Sequence, residues 1–318
     1  MHKRVAWVDC ARVLGIFLVC QVHSTAAMPE AFLSKCAVCM FFLLAGYFNT
    51  KLSMVSAVKR SALFLVSYCF WVALGAMLSS GGVCFSMAKT WDAICYAPYP
   101  MWFIKYMIVL LPVGAALNYL PYAWRAGLAV VLFILSFVIE PVWDIMPLTW
   151  EPLVVNTYPT YVLFLFLAGG ILRGIPLDQL PKRLFPGARQ HRKTAVCLGA
   201  VILCWLLAWS MTKHELPALQ VWHLIGIWAL MYISYSFELG FPSAARAVAM
   251  AGPAVILIYM CNPLLLRIFT SAYLKMAGEL PPPILSLVVC VLIITACTVV
   301  YRALISRNKV LDIVLFAR

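Results

Sequence analysis

Charged residues are scarce in this sequence. Asp, Glu, Lys and Arg together make up 11% of the 318 positions, whereas hydrophobic residues make up 65%. So few charges cannot cover the surface of a water-soluble protein of this length, and that class is excluded. The chain also lacks a polar stretch of about 100 residues that could form a soluble domain, and it lacks internal repeats. We therefore predict one all-α, polytopic membrane domain over residues 1–318.

Apolar stretches long enough to cross a hydrocarbon core of about 30 Å recur along the whole chain. Ten spans are predicted, at 8–28, 32–50, 61–79, 101–119, 126–140, 157–173, 194–211, 219–238, 247–267 and 284–304. With the N-terminus inside, most Lys and Arg residues fall on one side of the membrane, which must be the cytoplasmic side. The pattern predicts that both termini are cytoplasmic. The formal net charge of +13 then reflects this topology, and no binding of nucleic acid is expected.

Most of the twelve cysteines lie inside predicted spans, where cysteine behaves as a small apolar residue. Cys84 and Cys95 share an exported loop and could form a disulfide. Cys36 and Cys39 form a C-x-x-C pair on one helical face, but no further ligands follow at metal-binding spacing. We expect no metal site.

The first predicted span carries three ionisable side chains, although each costs at least a few kcal/mol if it faces lipid unpaired. Arg12 and His23 are 11 residues apart, which places them on nearly the same helical face about 16 Å apart. Asp9 precedes Arg12 by one turn and can pair with its guanidinium. Two interpretations follow. The line of polar residues formed by Asp9, Arg12 and His23, called the polar stripe below, is either a network that holds this helix to its neighbours or a route for a ligand. On such a route an anionic cytoplasmic ligand would meet Arg12 and react at His23.

Polar residues at other spans are further candidates. Lys105 follows Trp102 within the fourth span, and it either snorkels outward, towards an acidic partner such as Glu151, or faces a cavity. Trp102 suits either an interface anchor or a surface that stacks on a sugar ring. His223 opens the eighth span at an outer depth similar to that of His23.

The predicted cytoplasmic side has its own candidates. Tyr47 and Asn49 lie near the inner end of the second span, and Lys59 and Arg60 lie at the inner mouth of the third. The basic pair is either a positive-inside flank or a contact for ligand phosphates. The same two interpretations apply to the long basic connection at 174–193.

The pattern R-x-x-x-x-D-x-x-R, followed eleven residues later by His23, resembles the first span of the acyltransferase-3 family of membrane acyltransferases. Further stretches resemble family motifs in the same order: "FFLLAGYF" at 41–48, "KRSALFLVSYCFW" at 59–71, "MWFIKYM" at 101–107, "YVLFLFLAGGILR" at 161–173 and "ILIYMCNPLL" at 256–265. Three positions depart from the family pattern. Ala45 replaces a usual serine, Ser67 a proline and Asn262 a common histidine.

The resemblance implies transfer of an acyl group, usually acetyl from acetyl-CoA, to a hydroxyl of a glycan or glycolipid at the outer face of the bacterial inner membrane. Histidine suits the general base because its unperturbed pKa is about 6.5. We expect His23 to be that base, Arg12 to contact CoA or fix the polar stripe, and Asp9 to orient Arg12. The partners expected are acyl-CoA, the sugar acceptor and membrane lipids.

The remaining roles follow from the same reaction. Tyr47, Asn49, Lys59 and Arg60 are expected at the CoA site. A second set is expected at the acceptor: Trp102 for stacking, Lys105 for the oxyanion, His223 as partner or alternate base, and Asn262, whose amide cannot take a proton. We expect no additional hydrolase-like domain. The rival hypotheses are a glycolipid transporter or flippase and a sensor or scaffold with a degenerate enzyme fold.

Overall fold

A computed structural model of the chain describes residues 5–23, 31–49, 52–79, 102–143, 159–177, 179–185, 199 and 219–308. All regular secondary structure in these residues is helical, which confirms the predicted all-α class. The helices are α1 (Ala6–His23), α2 (Ala31–Asn49), α3 (Met54–Ser79), α4 (Trp102–Leu117), α5 (Tyr122–Trp143), α6 (Pro159–Leu172), α7 (Leu180–Leu184), α8 (Leu219–Gly240), α9 (Pro242–Ala249), α10 (Val255–Ala277) and α11 (Pro283–Val300). A 3₁₀ turn, Gly252–Ala254, precedes α10, and a π turn, Tyr301–Ile305, follows α11.

Among the described residues, three helical segments are long and apolar enough to cross a membrane. They are Met54–Gly75, Pro242–Ala277 and Ile284–Ile305. Shorter apolar helices cover Lys35–Asn49, Phe103–Leu117, Tyr122–Phe137 and Pro159–Leu172. The predicted span 194–211 lies outside the described residues, except for residue 199. The count of ten spans, the cytoplasmic termini and the single domain stay predictions.

Residues 1–41 and 174–304 form one compact unit, here called unit 1. Helix α1 is its central element, packing against α8, α9, α10 and α11. Trp7, Ala11, Ile16 and Cys20 of α1 are each at most 1% exposed. Gly15 lets Met40 and Phe41 of α2 come close, because an added Cβ would lie 3.0 Å and 3.1 Å from their side chains. The ionisable residues of α1 are therefore carried by a helix that is surrounded by protein.

Residues 42–173 and 305–318 form the second compact unit, unit 2. Within it α3 packs on α4, and α5 packs on α6. The C-terminal part of α2 crosses α6 with backbone against backbone. A Cβ on Gly46 would overlap the carbonyl oxygen of Phe166, and a Cβ on Gly169 would overlap that of Leu43. Such contact requires glycine at both positions and is typical of tightly packed membrane helices.

The predicted span 247–267 lies within the candidate membrane segment Pro242–Ala277, but the helix is interrupted inside it. Helix α9 ends at Ala249, and α10 begins only at Val255, after the 3₁₀ turn. Pro253 has no N–H, and its ring would clash with the carbonyl four residues earlier in an α-helix. Helix α10 then continues to Ala277, where Gly278 at φ 76° provides a left-handed cap.

Helix α3 begins seven residues before the predicted span 61–79. Ser53 caps it, since the Ser56 backbone N–H donates to Ser53 Oγ at 3.3 Å, the usual geometry of an N-cap serine. Lys59 and Arg60, predicted at the inner mouth of the third span, are therefore exposed residues of the helix itself.

Candidate functional site

The Asp9–Arg12 pair predicted from the i, i+3 spacing is present in unit 1. Arg12 Nη1 lies 3.4 Å from Asp9 Oδ1. The Asp9 residue is 9% exposed, and the Arg12 side chain is 26% exposed. A guanidinium and a carboxylate at this depth hold each other more firmly than a solvated surface pair, because water screens them less.

The Asp9 side chain lies directly against Gly252, at the start of the 3₁₀ turn that leads into α10. A Cβ added at Gly252 would meet Asp9 Oδ1 at 2.5 Å. The beginning of a helical segment favours negative charge, because its first N–H groups have no partner within the segment. Gly252 was not among the residues predicted from the sequence. Its only signal is a glycine that precedes a proline inside an apolar run.

The start of α1 is hydrogen-bonded to α8 and to α9. The Trp7 backbone N–H donates to Glu238 Oε2 at 3.0 Å, and the Cys10 thiol donates to the Ala245 carbonyl at 3.3 Å. The Trp7 N–H is one of the four that a helix leaves unpaired at its start, so Glu238 serves as a cap from another helix. Glu238 was also missed. It is an acidic residue at the end of an otherwise uncharged predicted span.

His23 is the last residue of α1 and is partly exposed. Because α1 is continuous from Ala6, the rise of 1.5 Å per residue separates Arg12 and His23 by about 16 Å along the axis. His223 lies in the first turn of α8 and is 2% exposed, with Lys35 of α2 within electrostatic range. Both histidines belong to unit 1, but their proposed roles stay predictions.

Asn262, which stands where the family commonly has histidine, lies in α10 and is fully buried. Its Nδ2 donates to the Tyr259 carbonyl at 3.4 Å. No group in the described ranges donates to its Oδ1. A buried amide oxygen without a donor costs about 1–3 kcal/mol, so this atom is suited to accept a hydrogen bond from a ligand hydroxyl.

In unit 2, residues predicted for the CoA site come together. Arg60 Nη1 donates to Asn49 Oδ1 at 2.7 Å, and Asn49 Nδ2 donates to the Ala45 carbonyl at 2.7 Å. Lys59 is exposed next to Arg60, although consecutive helical residues point about 100° apart. The two cations therefore point in different directions. Arg60 of this pair is hydrogen-bonded to the end of α2, through Asn49.

Arg173 joins this group, although it was not among the residues predicted for the CoA site. Its Nη1 donates to the Tyr47 carbonyl at 3.3 Å, and its Cζ lies 5.2 Å from the centroid of the Tyr47 ring. The crossing of Gly46 and Gly169 explains the contact, since Tyr47 follows Gly46 directly and Arg173 follows Gly169 by one turn. A sequence signal existed in the arginine that ends the glycine-rich span. The residues Tyr47, Asn49, Arg60 and Arg173 are called the basic cluster below.

Lys105 lies in the first turn of α4, with its Nζ 5.7 Å from the centroid of the Tyr68 ring on α3. This cation–π contact is with a buried ring, since Tyr68 is 3% exposed. Trp102 begins α4, but its side chain lies outside the described residues, as does the loop with Glu151.

The cysteines that were considered as ligands pack as apolar residues. Cys36 lies against Gly226 of α8, where a side chain would collide with its sulfur, and Cys39 is buried. Cys84 and Cys95 lie outside the described residues. Within the described ranges, no three His, Cys, Asp or Glu side chains come close enough to hold a metal ion.

Comparison with known families agrees with the resemblance drawn from the motifs. The family model described as "Acyltransferase domain", the acyltransferase-3 model, matches residues 5–302. No curated protein and no solved structure matches the chain. The matched range includes α1 with Asp9, Arg12 and His23, and the basic cluster as well. The chain therefore belongs to the acyltransferase-3 family and is a membrane acyltransferase.

Proposed function

We propose that this protein transfers an acyl group, acetyl in the first instance, from cytoplasmic acyl-CoA to a hydroxyl of a glycan or glycolipid at the outer face of the bacterial inner membrane. The observation that carries the proposal is α1, which holds an ion pair near its start and a histidine at its end within a protein-surrounded helix. Ionisable residues at such positions are expensive and usually functional.

In the proposed reaction a ring nitrogen of His23 takes the proton of the acceptor hydroxyl. The hydroxyl oxygen forms a bond to the thioester carbonyl carbon, and the carbon–sulfur bond then breaks. The CoA thiolate leaves and takes a proton from the histidine. Overall, the acyl group passes from CoA to the acceptor oxygen, and the hydroxyl proton passes through His23 to the CoA sulfur. A positioned base of this kind contributes about 10²–10⁴-fold to the rate. Asp9 would orient Arg12, and Arg12 would contact the donor or fix the geometry of the stripe.

The basic cluster supports a donor with phosphate groups. The guanidinium groups of Arg60 and Arg173 contact only neutral acceptors in the described residues, an amide oxygen and a backbone carbonyl. A guanidinium has five N–H donors, so each arginine retains donors for a phosphate. Lys59 would add a further cation. Tyr47 and Asn49 would hold the two arginines in place as well as line the site.

The acceptor side of the proposal rests on Asn262, whose Oδ1 is buried without a donor in the described part of the chain. A sugar hydroxyl could supply that hydrogen bond. His223 would act as partner or alternate base, Trp102 would stack on the sugar, and Lys105 would stabilise the oxyanion. We propose acetyl-CoA as the donor substrate, with no resident metal.

The test is release of free CoA from acetyl-CoA by the purified protein in lipid nanodiscs, with and without a mixture of lipid-linked glycans. We expect His23→Gln to lower acceptor-dependent CoA release by about 10²–10⁴-fold, because glutamine cannot take the proton. The matched control is His223→Gln, which should lose less if His23 is the base. Translocation of a glycolipid without any consumption of acetyl-CoA would contradict the proposal and favour a transporter.

A further inference from the structure

We infer that Gly252 is a positioning residue for the reaction, because it provides the space in which the Asp9 carboxylate is held beside Arg12. The inference rests on the proposed function, in which Arg12 contacts the donor or fixes the stripe. It concerns a residue that touches no substrate and acts through Asp9.

The contact at Gly252 involves the whole Asp9 side chain. A Cβ at position 252 would lie 2.5 Å from Oδ1, 2.6 Å from Cγ and 2.7 Å from Cβ of Asp9. All three distances are shorter than side chains tolerate, so any other residue at this position must displace something. These are the three nearest atoms, so the Asp9 side chain is the first group that a side chain at position 252 would meet.

Backbone conformation does not explain this glycine. Gly278 has a φ of 76°, in the left-handed region that favours glycine, whereas Gly252 is not in that region. An alanine would therefore suit the backbone of the 3₁₀ turn. An alanine would, however, clash with Asp9. Glycine is therefore required at position 252 by the neighbouring Asp9 side chain and not by the local backbone conformation.

Neither helix can readily move away to make room. The start of α1 is held by the bond from Trp7 to Glu238 and by the thiol of Cys10 on Ala245. On the other side, Gly252 lies in the buried run from Ala251 to Val255, which includes the rigid Pro253. Rotation of the Asp9 side chain moves its Cγ and Oδ1 away from an added Cβ, whereas Asp9 Cβ is fixed to the backbone of α1 and must be accommodated by a small shift of α1 or of the turn. Because Asp9 Oδ1 is only 3.4 Å from Arg12 Nη1, rotation breaks the ion pair.

The functional consequence is loss of an oriented guanidinium without loss of the fold. A hydrogen bond to a charged group contributes about 1.5–3 kcal/mol, which corresponds to a change of about 10- to 100-fold. We therefore expect Gly252→Ala to lower kcat/KM for acetyl-CoA about 10- to 100-fold. Folded yield should stay close to that of the wild-type protein, while Tm should fall, because the contact between the new Cβ and Asp9 Cβ overpacks the site.

Two other glycines provide matched controls. A Cβ at Gly75 of α3 or at Gly127 of α5 would meet nothing within 4 Å. Gly75→Ala and Gly127→Ala make the same chemical change, and we expect both to keep wild-type kcat/KM. A loss of activity in these controls equal to that of Gly252→Ala would overturn the inference, since it would show a general effect of added methyl groups.

A double-mutant cycle separates positioning from a merely structural role. Asp9→Gly removes the three nearest atoms that an alanine at position 252 would meet. We expect Gly252→Ala to cost 10- to 100-fold in the wild-type background but less than about 3-fold in the Asp9→Gly background. If turnover of Asp9→Gly is too slow to measure, the same cycle is read in the Kd for CoA. Equal costs in both backgrounds would overturn the inference.

The outcomes also separate this inference from the proposed function. If the wild-type protein neither binds CoA nor releases it from acetyl-CoA, the proposed function fails and the inference fails with it. If the wild-type protein is active and Gly252→Ala is as active as the two glycine controls, the inference fails while the proposed function stands.

Discussion

Arg173 offers a sharp test of the basic cluster, because its contacts separate a structural from a ligand-binding contribution. The structural part is its bond to the Tyr47 carbonyl and its position over the Tyr47 ring. These neutral contacts are worth about 0.5–1.5 kcal/mol and about 0.5–1 kcal/mol, respectively. The ligand part is a charge-assisted bond to a CoA phosphate, worth about 1.5–3 kcal/mol.

The two contributions appear in different measurements. Arg173→Ala should lower the free energy of unfolding by about 1–2.5 kcal/mol, measured by thermal or denaturant unfolding in detergent. It should also raise KM for acetyl-CoA by about 10- to 100-fold at nearly unchanged kcat, since phosphate binding is equal in the ground and transition states. Arg173→Lys keeps the charge but not the planar guanidinium, so its KM should lie between that of the wild-type protein and that of Arg173→Ala.

The matched control is Arg246→Ala. Arg246 is an exposed arginine of α9 whose Nε donates to the Pro242 carbonyl of its own helix. The Arg246→Ala substitution removes the same charge without changing the basic cluster, so KM for acetyl-CoA should change by less than about 3-fold. An unchanged KM in Arg173→Ala, or an equal rise in Arg246→Ala, would refute the assignment of Arg173 to donor binding.

Two further predictions concern the contacts that hold each unit together. Glu238→Ala leaves the Trp7 N–H without its acceptor and should lower the free energy of unfolding by about 1–3 kcal/mol, whereas Glu238→Gln keeps an acceptor and should cost less. Equal costs in unfolding experiments would mean that the charge, not the hydrogen bond, matters. Gly169→Ala places a Cβ into the Leu43 carbonyl and should cost about 1–3 kcal/mol or more, measured as Tm and folded yield. Gly127→Ala is its control, and similar losses in the two variants would contradict the proposed crossing.

The sequence was sufficient wherever one helix contains both partners of an interaction. The pairing of Asp9 with Arg12 follows from their i, i+3 spacing, because the geometry of a helix brings such residues onto one face. Composition was sufficient for the membrane class, since 65% hydrophobic residues cannot be hidden inside a soluble protein of this size. The interruption near Pro253 also had a local cause, but the apolar run masked it.

The contacts between helices were decided only by the tertiary structure. Trp7 and Glu238 are 231 residues apart, and Arg173 and Tyr47 are 126 apart. Hydrophobic periodicity indicates that a helix face must be buried, but it does not say which other helix covers that face. The roles of Gly252 and of Gly169 depend on such neighbours. A glycine in the sequence indicates that another segment can approach closely, but it does not indicate which segment that is. The sequence by itself therefore determined the all-α membrane class and the ion pair within α1. Packing between distant segments decided what holds that pair and what forms the basic cluster.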